Sequence, residues 1–309
     1  KMLNKVFNIN QLYSKEPKRT NCKNCYKKLK NSEDFISFKV KYYICRKCGH
    51  LNGGNVETDK FLNHLYTRKS GLDYSRNYTT EFNRRVKNIY SPKVNFLKKI
   101  LKKKIKLLDV GCGSGYFLKA CENNNIQAKG IDVNKIMIDL ANKNLKKNKA
   151  FFKESFDFKN ILDSRKYNTV SLIGVLEHLK DPNSFLKSFK NSKIKYLYLS
   201  LPLFSLNCFI ENTNPEVFPR HLGGAHTHLY TKNSISFFLK KFKFNILAEW
   251  WFGNDAQDLL RTLSVKAEKK MSKYALNILN KYGNSFDLLQ EQLDKKYISS
   301  EVHLIIENS

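Results

Sequence analysis

The stretch LLDVGCGSGYFLKACE, residues 107–122, joins an apolar run to a helix-spaced one through three glycines, Gly111, Gly113 and Gly115. A hydrophobic strand that breaks at glycine and re-enters a helix presents bare backbone N–H groups at a positive helix end, which suits a nucleotide. Two familiar occupants are disfavoured. Tyr116 stands where a dinucleotide fingerprint has its third glycine, and no Gly-Lys-Ser/Thr ending supplies the lysine and hydroxyl of a phosphate-binding P-loop. Asp109 lies two residues before Gly111, where a carboxylate would repel a pyrophosphate but suit a ligand carrying an ammonium group. Asp132, in GIDVN, follows 21 residues after Gly111, at the spacing where an acidic side chain accepts hydrogen bonds from both ribose hydroxyls.

S-adenosylmethionine is a nucleoside with such an ammonium group, and DVGCGSG resembles motif I of the class I S-adenosylmethionine-dependent methyltransferases. The resemblance implies that Asp109, Gly111, Gly113, Gly115 and Asp132 bind that cofactor. It implies further that Ser155 and Phe156, in KESFDF, pass the adenine and that Gly174, in IGVLEHLKDP, also contacts the cofactor. The pattern V-L-E-H-L-x-D-P is similar to enzymes that methylate sugars, quinols and related metabolites. The Asn/Asp-Pro-Pro-Tyr/Phe loop of enzymes acting on the exocyclic amines of bases is absent. So is the first glutamate of the metal-binding E-x-x-E-H of some quinol O-methyltransferases, since Gly174 occupies its place.

Methyl transfer from a sulfonium is an in-line displacement in which the protein supplies alignment and, for a hydroxyl acceptor, a base. Histidine suits that task near neutral pH. His178 follows the fourth expected strand, and His221, His226 and His228 share HLGGAHTHLY. His178 and His226 are read as candidate bases, His221 and His228 as acceptor contacts. His228 also fits a structural lead-in to the next helix, and three histidines this close could instead hold a metal. In EWWFGNDAQDLLR, Trp251 and Asp255 are candidate acceptor contacts of the kind a carbohydrate pocket uses. Alternation in that strand assigns Trp250 to the core and Trp251 outward. Tyr78, with Tyr74, would close over the cofactor.

CKNC and CRKC place Cys22, Cys25, Cys45 and Cys48 as two knuckles with nineteen residues between them. This is the spacing of a structural four-thiolate zinc ribbon, and FISFKVKYYI between the knuckles supplies its strands. A closed site of four thiolates has no open coordination position, so its expected role is to staple a small segment.

These residues must be held by elements. Strands are expected at 106–110, 128–132, 150–153, 167–173, 194–201, 244–251 and 302–306. Helices are expected at 134–147 and from the Asp181-Pro182 cap. The alternation predicts an α/β fold with a Rossmann-like, seven-stranded, mostly parallel sheet, the last strand inserted antiparallel, plus a small N-terminal zinc ribbon. The expected organisation is a ribbon over 1–60, a helical connector over 61–100 broken near Ser91-Pro92, and a methyltransferase domain over 101–309 with a helical insertion at 254–298. That insertion reads as a packed hairpin, a substrate lid or a dimer surface.

A formal charge of +29, from 56 basic against 27 acidic residues, is spread through nearly every segment, which weakens a dedicated nucleic-acid arm without removing a polyanionic substrate. No apolar run reaches membrane-spanning length, and the first twenty residues lack a secretory h-region, so a cytoplasmic protein without a membrane partner is expected. The motifs together resemble bacterial methyltransferases of surface-polysaccharide and deoxysugar pathways, which implies a sugar or nucleotide-sugar acceptor. The alternative is an RNA-modifying enzyme, since ribosomal RNA methyltransferases can also join a zinc module to this fold.

Overall fold

Apolar segments bounded by turn residues form the parallel strands of a seven-stranded sheet. The chain is described by a computed structural model over residues 2–67, 81–214, 217, 221–222 and 226–308. Tyr74 and Tyr78 lie outside the described residues. The strands are β1 (Phe35–Ser37), β2 (Val40–Ile44), β3 (Leu51–Gly53), β4 (Lys106–Val110), β5 (Gln127–Asp132), β6 (Ala150–Phe152), β7 (Thr169–Ile173), β8 (Tyr196–Pro202), β9 (His228–Leu229), β10 (Phe244–Phe252) and β11 (Glu301–Asn308). The large sheet has the order β10-β11-β8-β7-β4-β5-β6. Pairs β4–β5, β4–β7, β5–β6 and β7–β8 are parallel. The expected α/β Rossmann-like class is therefore the observed one, and the last strand takes an interior place between β8 and β10. No helix among the described residues is long and apolar enough to cross a membrane.

The chain forms two compact units, each discontinuous in sequence. One comprises Lys1–Glu57, Leu201–Phe238 and Trp250–His303; the other Thr58–Ser200, Leu239–Glu249 and Leu304–Ser309. In the first unit a four-stranded sheet, β1-β2-β3-β9, runs antiparallel throughout. Strand β9 is only two residues long and joins β3 from a point far along the chain, pairing Leu51 with Leu229 and Asn52 with His228. Three helices, Asp255–Glu268, Lys273–Asn280 and Gly283–Lys295, follow β10 in this unit.

In the second unit, β4 and β7 are buried along nearly their whole length, as parallel strands covered on both faces must be. Leu97, Leu107, Phe117, Tyr198 and Ile305 share its core. The expected break near Ser91-Pro92 is a π-helical turn, Val86–Tyr90, leading into the helix Ser91–Ile100. Proline offers no N–H to the preceding turn, and one widened turn accommodates the loss. The helix Lys135–Asn144 starts from an Asn134 cap, and Pro182–Lys190 from Asp181, whose side chain accepts a hydrogen bond from Asn183 N.

Candidate active site

The glycine loop leaves the carboxyl end of β4. Gly111, Gly113 and Gly115 have φ of +73°, +50° and +83°, a left-handed run that residues with a Cβ rarely adopt. At Gly111 a Cβ would come 2.6 Å from Val175 Cγ2, so close packing as well as backbone geometry demands glycine. At Gly113 the same Cβ would meet nothing within 4 Å. The bend is thus closed below and open in front, a cradle with room for a ligand. Helix Tyr116–Asn123 begins directly after Gly115. Tyr116, in the place of a third glycine, is stacked with Phe82 (centroids 4.7 Å) and Tyr90 (5.2 Å).

Asp132, at the carboxyl end of β5, bonds back to this loop. Its Oδ2 accepts from Gly113 N at 2.8 Å and its Oδ1 from Asn134 N at 2.8 Å, which fixes the carboxylate while leaving lone pairs for other donors. Burial raises its pKa against those two bonds. Asp109 is only 3 % exposed. Ser171 Oγ, on β7, donates to Asp109 Oδ1 at 2.6 Å. Burial pushes the Asp109 carboxyl up to about 7, against the Ser171 hydrogen bond, and the charge of Asp132 adds to the rise. Ser155 is exposed and Phe156 half-buried after β6, and Gly174 turns with φ +66° at the end of β7.

His178 closes a 3-10 turn, Leu176–His178, just beyond β7. Its Nε2 is 3.7 Å from Glu177 Oε1. Its Nδ1 is 2.8 Å from the hydroxyl of Tyr66, the last residue of the helix Asp59–Tyr66. Sequence reasoning missed Tyr66. Nothing in its local spacing reveals a partner more than a hundred residues away.

In the first unit the HLGGAHTHLY histidines separate. His221 and His226 are half-buried, with ring centroids 6.4 Å apart. Glu211 holds this stretch, accepting from His221 N and Leu222 N at 2.7 Å each. His228 instead lies in β9, 0 % exposed, with Nδ1 2.8 Å from His50 Nε2. Its expected acceptor contact is corrected: strand pairing turns this ring into the interior.

Asp255 is corrected likewise. It is 0 % exposed and accepts from Ser205 Oγ (2.6 Å), Asn207 N (3.1 Å) and Ser300 N (2.9 Å), joining three chain segments. The tryptophan assignment is reversed. Trp251 is 8 % exposed and meets Tyr297 edge-on, whereas Trp250 is half-buried and stacks with Phe252 and His303. Ile246 and Trp250 do share one face of β10, but that face is only half-buried, and near the strand's end burial passes to Trp251.

The four ribbon cysteines converge. Cys22 Sγ and Cys48 Sγ are 3.7 Å apart, Cys25 Sγ and Cys45 Sγ 3.4 Å, and all four sulfurs lie within 4.8 Å of one another. A tetrahedron with metal–sulfur bonds of about 2.3 Å has edges of roughly 3.8 Å, so the spacing fits zinc. Asn52 Nδ2 and Asn24 Nδ2 donate toward Cys22 and Cys48 at 3.7 and 3.6 Å, as thiolates prefer. The two knuckles share a turn: Tyr26 N donates to Cys22 O and Gly49 N to Cys45 O, and the residue after each knuckle is left-handed, Tyr26 at φ 60° and Gly49 at 71°.

A family model described as a methyltransferase domain matches residues 82–249, more than half of the chain. A ubiquinone biosynthesis O-methyltransferase of Pelagibacter ubique (strain HTCC1062) is 33% identical over 90 residues, 28% of this chain and 36% of that protein, so the match spans about a third of the relative's length. Magnesium protoporphyrin IX methyltransferase from Synechocystis PCC 6803, solved with bound SAH, superposes with a TM-score of 0.51 at 14% identity, covering 82% of this chain and 100% of that one. A methyltransferase from Archaeoglobus fulgidus gives 0.47 at 16% identity over 77% of this chain and 99% of its own. The glycine loop, the paired strand-end carboxylates and the family match converge: the chain belongs to the methyltransferase domain family.

Proposed function

We infer that this enzyme methylates a hydroxyl of a small organic acceptor, a sugar or nucleotide sugar destined for a surface glycan. The observation that carries the hydroxyl assignment is His178. It stands at the carboxyl end of β7, the strand hydrogen-bonded beside β4 and its glycine loop, with the Glu177 carboxylate 3.7 Å from Nε2. A base is superfluous for a free amine acceptor but required for an alcohol.

The cofactor, when bound, supplies an electrophilic methyl group on a sulfonium. Everything else falls to the chain. The open backbone at Gly113 and the Asp132 carboxylate would seat the nucleoside, with Ser155 and Phe156 toward its base. Asp109, buried without a cationic side chain among the described residues, would favour the ligand's positive charge from below the loop. Gly174 allows the tight exit from β7 that brings His178 to the same edge. His178 takes the acceptor proton, with His226 as a second candidate on the HLGGAHTHLY segment and His221 as an acceptor contact. Trp251, being buried, is left with a packing role. The four cysteines would hold zinc as a closed structural site.

The sugar assignment draws on the resemblance of the motifs. The formal charge of +29 favours the rival RNA reading. Incubation with labelled cofactor and three acceptor sets, nucleoside-diphosphate hexoses, quinols and ribosomal RNA, separates them. Turnover of a hexose with weak salt dependence supports the proposal. Methylation confined to RNA and falling steeply with salt replaces it with the second reading, and methylation confined to quinols replaces the sugar by a phenol.

A further inference from the structure

The contacts of Tyr66 reach both halves of the second unit's candidate site. Its carbonyl accepts from Asn134 Nδ2 at 2.7 Å, and Asn134 N donates to the Asp132 carboxylate at 2.8 Å. Its hydroxyl lies 2.8 Å from His178 Nδ1, with the two rings edge-on at 66° and centroids 5.6 Å apart. The helix that presents it is fixed independently. Thr58 caps it by accepting from Phe61 N, Phe61 is buried, and Asp59 pairs with Lys180 at 2.8 Å. Tyr66 is therefore held on three sides.

Two groups next to the His178 ring bear on where its proton sits. A carboxylate 3.7 Å from Nε2 stabilises a proton on that nitrogen. A neutral imidazole has one N–H, so Nδ1 is then the bare nitrogen, and it faces a phenol that can donate to it. Glu177, His178 and Tyr66 thus line up as carboxylate, imidazole and hydroxyl, the order in which a carboxylate-oriented histidine draws a proton from a hydroxyl.

We propose that Tyr66 relays the acceptor's proton to His178 Nδ1, so that a phenol oxygen, rather than imidazole Nε2, receives it first. This rests on the reading of His178 as the base. As the acceptor O–H bond breaks and its oxygen bonds the methyl carbon, Tyr66 takes that proton and passes its own to Nδ1. The electron pair of the broken S–CH3 bond stays on sulfur, and the resulting imidazolium is balanced by Glu177. The proton then leaves to solvent.

Imidazole 15N NMR of the full chain, with S-adenosylhomocysteine as the bound probe and His178→Ala to assign the signal, tests the arrangement without any acceptor. The relay requires Nε2–H with a bare, hydrogen-bonded Nδ1, and a change in that Nδ1 signal in Tyr66→Phe. A protonated Nδ1 in the neutral ring overturns it. With whichever acceptor the panel identifies, Tyr66→Phe is expected to lower kcat roughly 10- to 100-fold, within the range of a lost proton-transfer group, with the probe's Kd within about twofold. Tyr66→Phe/His178→Ala should be no slower than His178→Ala. Full activity in Tyr66→Phe, or losses that multiply in the double variant, overturns the relay while His178 stands. Full activity in His178→Ala instead removes the base reading itself.

Discussion

Two buried carboxylates, Glu57 in the first unit and Asp109 in the second, are treated in opposite ways. Glu57, 2 % exposed in the first unit, pairs with Arg19 Nη2 at 2.6 Å and Lys23 Nζ at 3.1 Å and also accepts from Thr227 Oγ1. Burial alone would raise it, but the two cations outweigh burial and hold it down to about 2. Asp109, similarly buried in the second unit, has a serine hydroxyl and a neighbouring carboxylate, and sits at about 7. Glu57 has its countercharge within the chain. Asp109 does not, and on the proposed function that place belongs to the ligand, with the folded protein bearing the cost until the ligand binds.

Several measurements can break or sharpen that contrast. The largest effect belongs to the other internal countercharge of the first unit, the metal proposed for the four cysteines. Chelation, or Cys45→Ser, should unfold the ribbon, since structural zinc binding is worth on the order of 10 kcal/mol in small domains. Elemental analysis should find one zinc per chain beforehand, and circular dichroism should register the loss. An unchanged melt would remove the metal.

Next comes Glu57→Gln, which strands two buried cations and should cost about 3–5 kcal/mol in denaturant unfolding. Asp109→Asn strands nothing, so it should leave the ligand-free protein as stable or more stable at pH 8 while weakening cofactor binding roughly tenfold. If the two substitutions destabilise equally, the distinction between the carboxylates fails.

The pH dependences should also oppose each other. Glu57 has a depressed pKa, so its contribution is present above about 4.5 and is lost as pH falls through about 2. Asp109 has a raised pKa, so the ligand-free fold is favoured most below about 3.8 and loses stability as pH rises through about 7. Asp109→Asn should flatten the neutral limb and leave the acid limb intact, as read by melting temperature across pH. The smallest effect is expected at Tyr26, left-handed where the second knuckle has glycine. Tyr26→Gly should gain up to about 1 kcal/mol of stability.

What was legible in the chain divides along similar lines. The glycine loop is written in seven consecutive residues, and its conformation follows from three positive φ angles, so a local pattern sufficed. The cysteine knuckles are equally local. Strand positions were legible because apolar runs between glycine and asparagine turns leave few alternatives. What failed depended on distant partners. His228 looks like a loop histidine until β9 pairs with β3 and seats it against His50, 178 positions away. Asp255 looks like a surface carboxylate until Ser205 and Ser300 reach it, and Tyr66 carries no signal apart from its contact with His178.

The central claim is that Asp109 supplies a charge that the ligand completes. Calorimetric titration of S-adenosylmethionine near pH 7, repeated in buffers of different ionisation enthalpy, tests it most directly. A bound cation lowers the Asp109 pKa, so binding should release about half a proton in the native protein and none in Asp109→Asn. Binding without proton release, or with the same release in both proteins, would contradict the account.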